Sequence, residues 1–170
     1  MDSQPAGTDS ATVVYGVATP YAWDVVESLW RSGSAPLSVD NIGGADPELP
    51  GLRSDLPEGS WDVVVGPASP RARAGAAAAA RREGPHRFPA LADPTSAVAS
   101  TTRSAHGTYV NALVSVGARA SLGCLVNLNR STSIGHHCTL GRFTSTGPGA
   151  TLCGAVETGF GVFLGAGCVI

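Results

Sequence analysis

A six-residue period dominates the second half of this chain. Val116, Leu122, Leu128, Ile134, Leu140, Leu152, Leu164 and Ile170 keep one register, with Thr146 and Thr158 holding the two remaining positions. Gly follows directly at 117, 123, 135, 141, 147, 159 and 165. Four places after each repeat start stands a small or β-branched residue, such as Val126, Thr132, Cys138 or Ala150. Six matches neither the 3.6-residue period of a helix nor the alternation of an ordinary strand. It predicts a parallel β-helix of hexapeptide repeats, a triangular prism with the aliphatic residue inside. Gly is expected where the backbone turns left-handed between faces. Three hexapeptides make one coil, which stacks residues about 4.8 Å from their counterparts in the next coil.

The first half follows another grammar. Of 24 charged residues only Arg119, Arg130, Arg142 and Glu157 lie after Arg103. The shift predicts a boundary near Ala92–Asp93–Pro94, with domains over residues 1–92 and 93–170. Upstream, Thr12–Ala18, Pro36–Asp40 and Trp61–Gly66 read as short apolar strands, and His86–Leu91 as a fourth. Thr19-Pro20 and Ser69-Pro70 each offer a cap followed by a proline at the first helical position. Ala22, Val25, Val26, Leu29 and Trp30 then recur at helical spacing up to Gly33. The second helix, Arg71 to Glu83, draws on alanine propensity. The sum is a small Rossmann-like parallel α/β unit.

Composition narrows the function. Net charge is −2 and all 11 basic residues are arginine, so the basic surplus expected of a nucleic-acid binder is missing and lysine chemistry is excluded. No apolar run reaches the length of a membrane span. The polar start MDSQPAGTDS lacks the pattern of a secretion signal, and four cysteines occur without CxxC spacing. A cytoplasmic protein with reduced thiols and no metal site is expected. His136, His137, Cys124 and Cys138 do not share a face, because Cys138 holds an inward position and His136 an outward one.

The stretch Asn129-Arg-Ser-Thr-Ser-Ile-Gly-His136-His-Cys138-Thr-Leu-Gly141, followed by Gly147-Pro-Gly149-Ala-Thr-Leu-Cys-Gly154 and Phe163-Leu-Gly-Ala-Gly167, resembles the hexapeptide-repeat acyltransferases. Val14-Tyr-Gly16, Ser38-Val-Asp40-Asn41 and Trp61-Asp-Val-Val-Val extend the likeness to the sugar acetyltransferases typified by PglD and NeuD. Asp93-Pro-Thr-Ser-Ala97-Val resembles the segment with which that family begins its β-helix. The resemblance implies a left-handed β-helix, a homotrimer with active sites between adjacent prisms, and direct transfer from acetyl-CoA to an amino sugar, nucleotide-linked in that family. It implies His136 as catalytic base, with Asn129 near the acceptor. Ser145, Gly154 and Ala166 would contact acetyl-CoA. Ala18, Thr19 and Pro20 would form the turn touching the nucleotide sugar, with Asp40, Asn41 and Ala68 at further contact positions.

Three departures keep other readings open. The family's glycine-rich turn here reads Gly16-Val-Ala-Thr-Pro-Tyr21, which leaves less room for a phosphate. His137 stands where relatives carry an acid after the catalytic His, so it is expected to modulate His136. Ile170 begins a new hexapeptide, and the expectation is a β-helix truncated at its C-terminal end. O-acetylation of a sialic-acid-type sugar and a non-catalytic scaffold subunit are the alternatives. Away from the resemblance, an outward corner imidazole such as His136 can act as a general base or merely be solvated, as His106 would be. Arg119, one coil before His137, can bind an anion or simply aid solubility.

Overall fold

The computed structural model describes residues 12–56 and 58–170. The expected absence of a secretion signal concerns residues outside that set. Strands β1 (Thr12–Tyr15), β2 (Leu37–Val39) and β3 (Asp62–Val65) form a parallel sheet in the order β2-β1-β3. Helix α1 (Ala22–Arg31) follows β1, and α2 (Pro70–Glu83) follows β3. Val13, Val14, Val63 and Val65 are buried, as expected of a sheet covered on both faces. Ser69 caps α2 as predicted, its side chain accepting from Ala72 N with Pro70 in the first turn. Thr19 does not cap α1. Its carbonyl accepts from Ala22 N and that of Pro20 from Trp23 N, a tight turn ahead of the helix.

His86–Leu91 is not a fourth strand of this sheet. Arg87 makes only an isolated bridge to Asp62, while Leu91–Ala92 pairs with Tyr109–Val110 as the first rung of the β-helix. Ala92 keeps the six-residue register, so the solenoid begins just ahead of the expected boundary. The prism has three parallel faces. Face 1 carries Leu91–Ala92, Tyr109–Val110, Asn127–Leu128, Ser145–Thr146 and Phe163–Leu164. Face 2 carries Ala97–Val98, Ser115–Val116, Ser133–Ile134 and Thr151–Leu152, and face 3 Arg103–Ser104, Ser121–Leu122, Thr139–Leu140 and Glu157–Thr158. Ser133 pairs with Ser115 and Thr151, so one turn takes 18 residues as predicted.

The aliphatic series fills the prism. Where Thr replaces it, the hydroxyl is satisfied inside: Thr146 meets Thr132 and Thr158 meets Thr144, each at 2.9 Å. The glycine expectation needs correction. Positive φ falls not on the Gly after the aliphatic residue but two places later, at Arg119, Leu125, Ser131, His137, Phe143 and Ala155 among others. Five of the seven repeat glycines, at 117, 123, 135, 141 and 147, are required by stacking instead, whereas Gly159 and Gly165 have open space around them. A Cβ on Gly135 would lie 2.5 Å from Cys153 carbonyl atoms, and one on Gly141 2.3 Å from the Gly159 oxygen.

Two charged side chains lock the α/β unit onto the prism. Arg73 is completely buried, donating to the carbonyls of Val65, Pro67, Gly107 and Leu125. Burial pushes its guanidinium down to about 10, still charged at neutral pH. Tertiary packing of Arg73, Ala76, Ala77 and Ala80 therefore adds to the alanine propensity of α2. Asp93 accepts from Ser28 Oγ at 2.6 Å, Arg31 at 2.7 and 2.9 Å, and Thr95 N and Oγ1. Burial opposes its charge, but these bonds outweigh burial and hold the carboxyl well below the usual range.

Asp93 therefore contributes stability that is fully present above its unfolded value, near pH ~4, and is lost as pH falls through the lowered folded one. Asp93→Ala removes the carboxylate to which Ser28, Arg31 and Thr95 all donate and should cost about 3 kcal/mol at pH 7. Urea melts of parent and variant should converge as the pH is lowered below ~4. A gap that stays constant with pH would contradict this account.

Candidate active site

His136 and His137 stand exposed on the corner between faces 2 and 3. The corner backbone is tied from both neighbouring turns: His137 N donates to Ala118 O, and His136 O accepts from Ala155 N. His137 has φ +59, and this left-handed geometry swings its ring beside that of His136. The two Nδ1 atoms are 3.0 Å apart and the rings are nearly perpendicular. One Nδ1 must carry the proton and the other accept it. Among the described residues, His136 Nε2 has no hydrogen-bond partner. An imidazole with Nδ1–H directed at a fixed acceptor leaves Nε2 as a free base.

Gly154 lies one turn beyond His136, directly against its ring. A Cβ there would come within 2.6 Å of Cε1 and 2.7 Å of Nε2. The ring can hold this place only while the position carries no side chain. Gly154→Ala should displace His136 and lower any turnover that depends on it by about tenfold or more, while the melting temperature barely moves. Wild-type turnover in that variant would show that the ring position is immaterial.

The other expected site residues are spread around the prism. Asn129 and Ala166 lie on the corner between faces 1 and 2, so face 2 has His136 and Gly154 along one edge and Asn129 and Ala166 along the other. Asn129 is mostly buried, and its Oδ1 accepts from Arg130 N. Ser145 is not brought to this site. It sits on face 1 with no exposed surface, and its hydroxyl lacks a partner among the described residues. It stacks on Asn127, which meets Tyr21 Oη at 3.1 Å and the Ala68 carbonyl at 3.5 Å. The α/β unit thus covers face 1. Arg130 ties to Asp24 at 2.9 Å and is a tether between the corner and α1.

At the carboxyl ends of β1–β3 a cavity of about 370 Å³ is lined by Gly16, Ala18, Thr19, Asn41, Pro67 and the exposed Ile42, among others. Open parallel sheets bind ligands at this location. Pro20 and Ala68 do not line it. Asp40 does not either; its carboxylate accepts from the backbone N–H groups of Ile42, Gly43 and Ala45, which shapes the neighbouring loop. Gly16 closes the inner wall, with φ +80 and a would-be Cβ only 2.9 Å from that of Ala76.

Among the described residues no group of three or more His, Cys, Asp or Glu gathers to hold a metal ion, and all four cysteines are free. Among those residues no helix is long and apolar enough to cross a membrane.

Neither a protein-family model nor a curated protein sequence matches the chain. Solved structures do. The acetyltransferase domain of PglB from Neisseria gonorrhoeae, in complex with acetyl coenzyme A, superposes with a TM-score of 0.77 at 24% identity, over 95% of this chain and 92% of that one. PerB from Caulobacter crescentus, in complex with CoA and GDP-perosamine, gives 0.75 at 23%, over 96% and 89%. WeeI from Acinetobacter baumannii gives 0.75 at 17%, over 94% and 80%. The fold of this chain is thus that of the left-handed β-helix sugar acetyltransferases, as the sequence resemblance implied.

Proposed function

We propose that the chain is an acetyl-CoA-dependent acetyltransferase that modifies the amino group of a nucleotide-linked sugar, with His136 as general base. The observation that carries this reading is the exposed imidazole on a rigid corner, seated on Gly154, with Nδ1 engaged by His137 and Nε2 without a partner among the described residues. Acetyl-CoA would supply a thioester-activated acetyl group. The surface beside His136 suits such a donor: Gly154 and Ala166 are exposed and present no bulk, and Ser133 and Thr151 are small outward residues of face 2 between them. His136 Nε2 accepts the amine proton while nitrogen bonds to the acetyl carbon and the carbon–sulfur bond breaks. The proton then passes to the departing thiolate. General-base assistance of this kind contributes about 10²–10⁴ in rate.

The same geometry supports an assembly. In one chain the α/β unit covers face 1, whereas His136 stands on the opposite corner. A crevice holding the acceptor through Ala18, Thr19 and Asn41 would meet His136 where another copy supplies one of the two. A homotrimer, as the resemblance implies, provides this pairing.

The test is a mass-spectrometric screen of free and nucleotide-linked amino sugars with acetyl-CoA, alongside calorimetric titration with CoA. Gain of one acetyl group by an amino sugar is expected. Failure to bind CoA and to acetylate any acceptor would favour the scaffold reading.

His137 sets a second expectation. A neutral imidazole can accept the Nδ1 proton of His136 but cannot stabilise the imidazolium as a carboxylate does. His137→Glu should therefore raise turnover about tenfold, the ~1.4 kcal/mol by which a charge-assisted hydrogen bond exceeds a neutral one. Pre-steady-state rates with saturating acetyl-CoA are the readout. A slower variant would give His137 a role of its own.

A further inference from the structure

Arg103, Arg119 and His137 line one open groove of about 720 Å³, together with the hydroxyl-bearing Ser100, Thr101 and Ser121. Arg119 holds the corner position one turn before His137, and Arg103 pairs with Ser121 on face 3. Thr101 Oγ1 accepts from Arg119 N at 2.9 Å, which fixes the corner from which Arg119 projects. Four other arginines of the chain are engaged. Arg31, Arg87 and Arg130 each meet a carboxylate, and Arg73 meets four carbonyls. Among the described residues, the guanidinium groups of Arg103 and Arg119 have no such partner and no carboxylate lines the groove. Glu157, the one acid after Arg103, lies on face 3 two turns beyond Ser121.

Two unpaired guanidinium groups flanked by hydroxyls over a concave surface form a site for a multivalent oxyanion, which planar forked donors match in shape and charge. Its position says which substrate brings the anion. Gly154 touches His136 from the C-terminal side, whereas Arg119 and Arg103 extend from His137 toward the N-terminal turns. With the thioester donor on the Gly154 side, the groove belongs to the acceptor.

We propose that this groove binds the diphosphate of a nucleotide-linked acceptor, with Arg103 and Arg119 as its anchors and the sugar amine directed to His136. The inference rests on the reading of His136 as the base. The Gly16 crevice, which Arg82 also lines, is left to the rest of the acceptor.

Calorimetric titration of the full chain with inorganic pyrophosphate, UDP and CoA tests this without requiring turnover. Arg103→Gln/Arg119→Gln should weaken pyrophosphate and UDP binding at least about tenfold, and leave CoA affinity within about twofold. Arg142→Gln, which removes an exposed charge at another corner, should change none of the three. Pyrophosphate binding that is absent at millimolar concentration, unchanged in the double variant or equally lost in Arg142→Gln would overturn the proposal. So would a loss confined to CoA, which would assign the groove to the donor's phosphates. Should the double variant melt early, Arg119→Gln alone carries the same expectation at a smaller size. If acetylation proceeds while pyrophosphate ignores the groove, this inference fails and the proposed activity stands. If pyrophosphate binds as expected but no acceptor is acetylated, the anion site stands, and the proposed activity falls together with the assignment of the anion to an acceptor.

Discussion

His136→Ala should lower turnover by roughly two to four orders of magnitude, the contribution of a positioned general base. Nothing in the fold should notice the change. The side chain is exposed and, among the described residues, its only hydrogen bond is to exposed His137, so the expected change in stability is within about 0.5 kcal/mol. The corner backbone survives because its bonds to Ala118 and Ala155 belong to the main chain. CoA affinity should also persist, since Gly154 gains space rather than losing it. The pattern to look for is a fall in kcat with unchanged CoA binding and an unchanged melting curve. An enzyme that keeps its rate without His136 would remove the proposed base, and with it the role assigned to His137. A variant that both melts early and loses activity would show that the ring was structural.

The prism was legible in the sequence because a solenoid repeats one environment, so each interior position faces the same constraint. What the period could not show was which atoms enforce it. Gly135 and Gly141 look like turn residues, yet their φ is ordinary and backbone of the next coil excludes a Cβ. The strained position falls on residues such as Arg119 and His137, where composition gives no signal. Thr146 and Thr158 look like faults in the aliphatic series. They are members of hydroxyl pairs 14 residues apart, a spacing outside the six-residue period.

Long-range contacts were hidden for a related reason. Arg73 sits in an alanine-rich helix and reads as a solvated charge, but four carbonyls from two parts of the fold converge on it. Asp93 marked a boundary by composition, and the structure makes it the joint between α1 and the first coil. That His136, His137 and Gly154 share one corner follows from the repeat register, while their place in a site is what the family resemblance implied. Ser145 shares that register but faces the α/β unit, and no periodicity says which face a second unit will cover.

Ile134→Asp should abolish the folded β-helix. Ile134 is 2% exposed, and its strand pairs with Val116 on one side and Leu152 on the other. The interior around it is aliphatic, including Leu122, Leu128 and Leu140. The nearest device for satisfying a buried polar atom is the Thr132–Thr146 pair, whose hydroxyls already bond each other. Loss of the Ile side chain alone costs about 2–5 kcal/mol. Burying an unpaired carboxylate, or protonating it to avoid the charge, adds several more. The sum reaches the ~5–15 kcal/mol that stabilises a typical domain. Each turn stacks directly on the next, so damage at this rung also exposes the apolar ends of both neighbours. Circular dichroism should lose its β signal, and the protein should elute as aggregate or unfolded chain. Ile134→Val removes one methylene and should cost only about 0.5–1.5 kcal/mol while keeping activity, because the corner carrying His136 stays in register. A normally folded Ile134→Asp protein would mean that this side chain points outward, and the inward series, with the outward place of His136 that follows from it, would have to be reassigned.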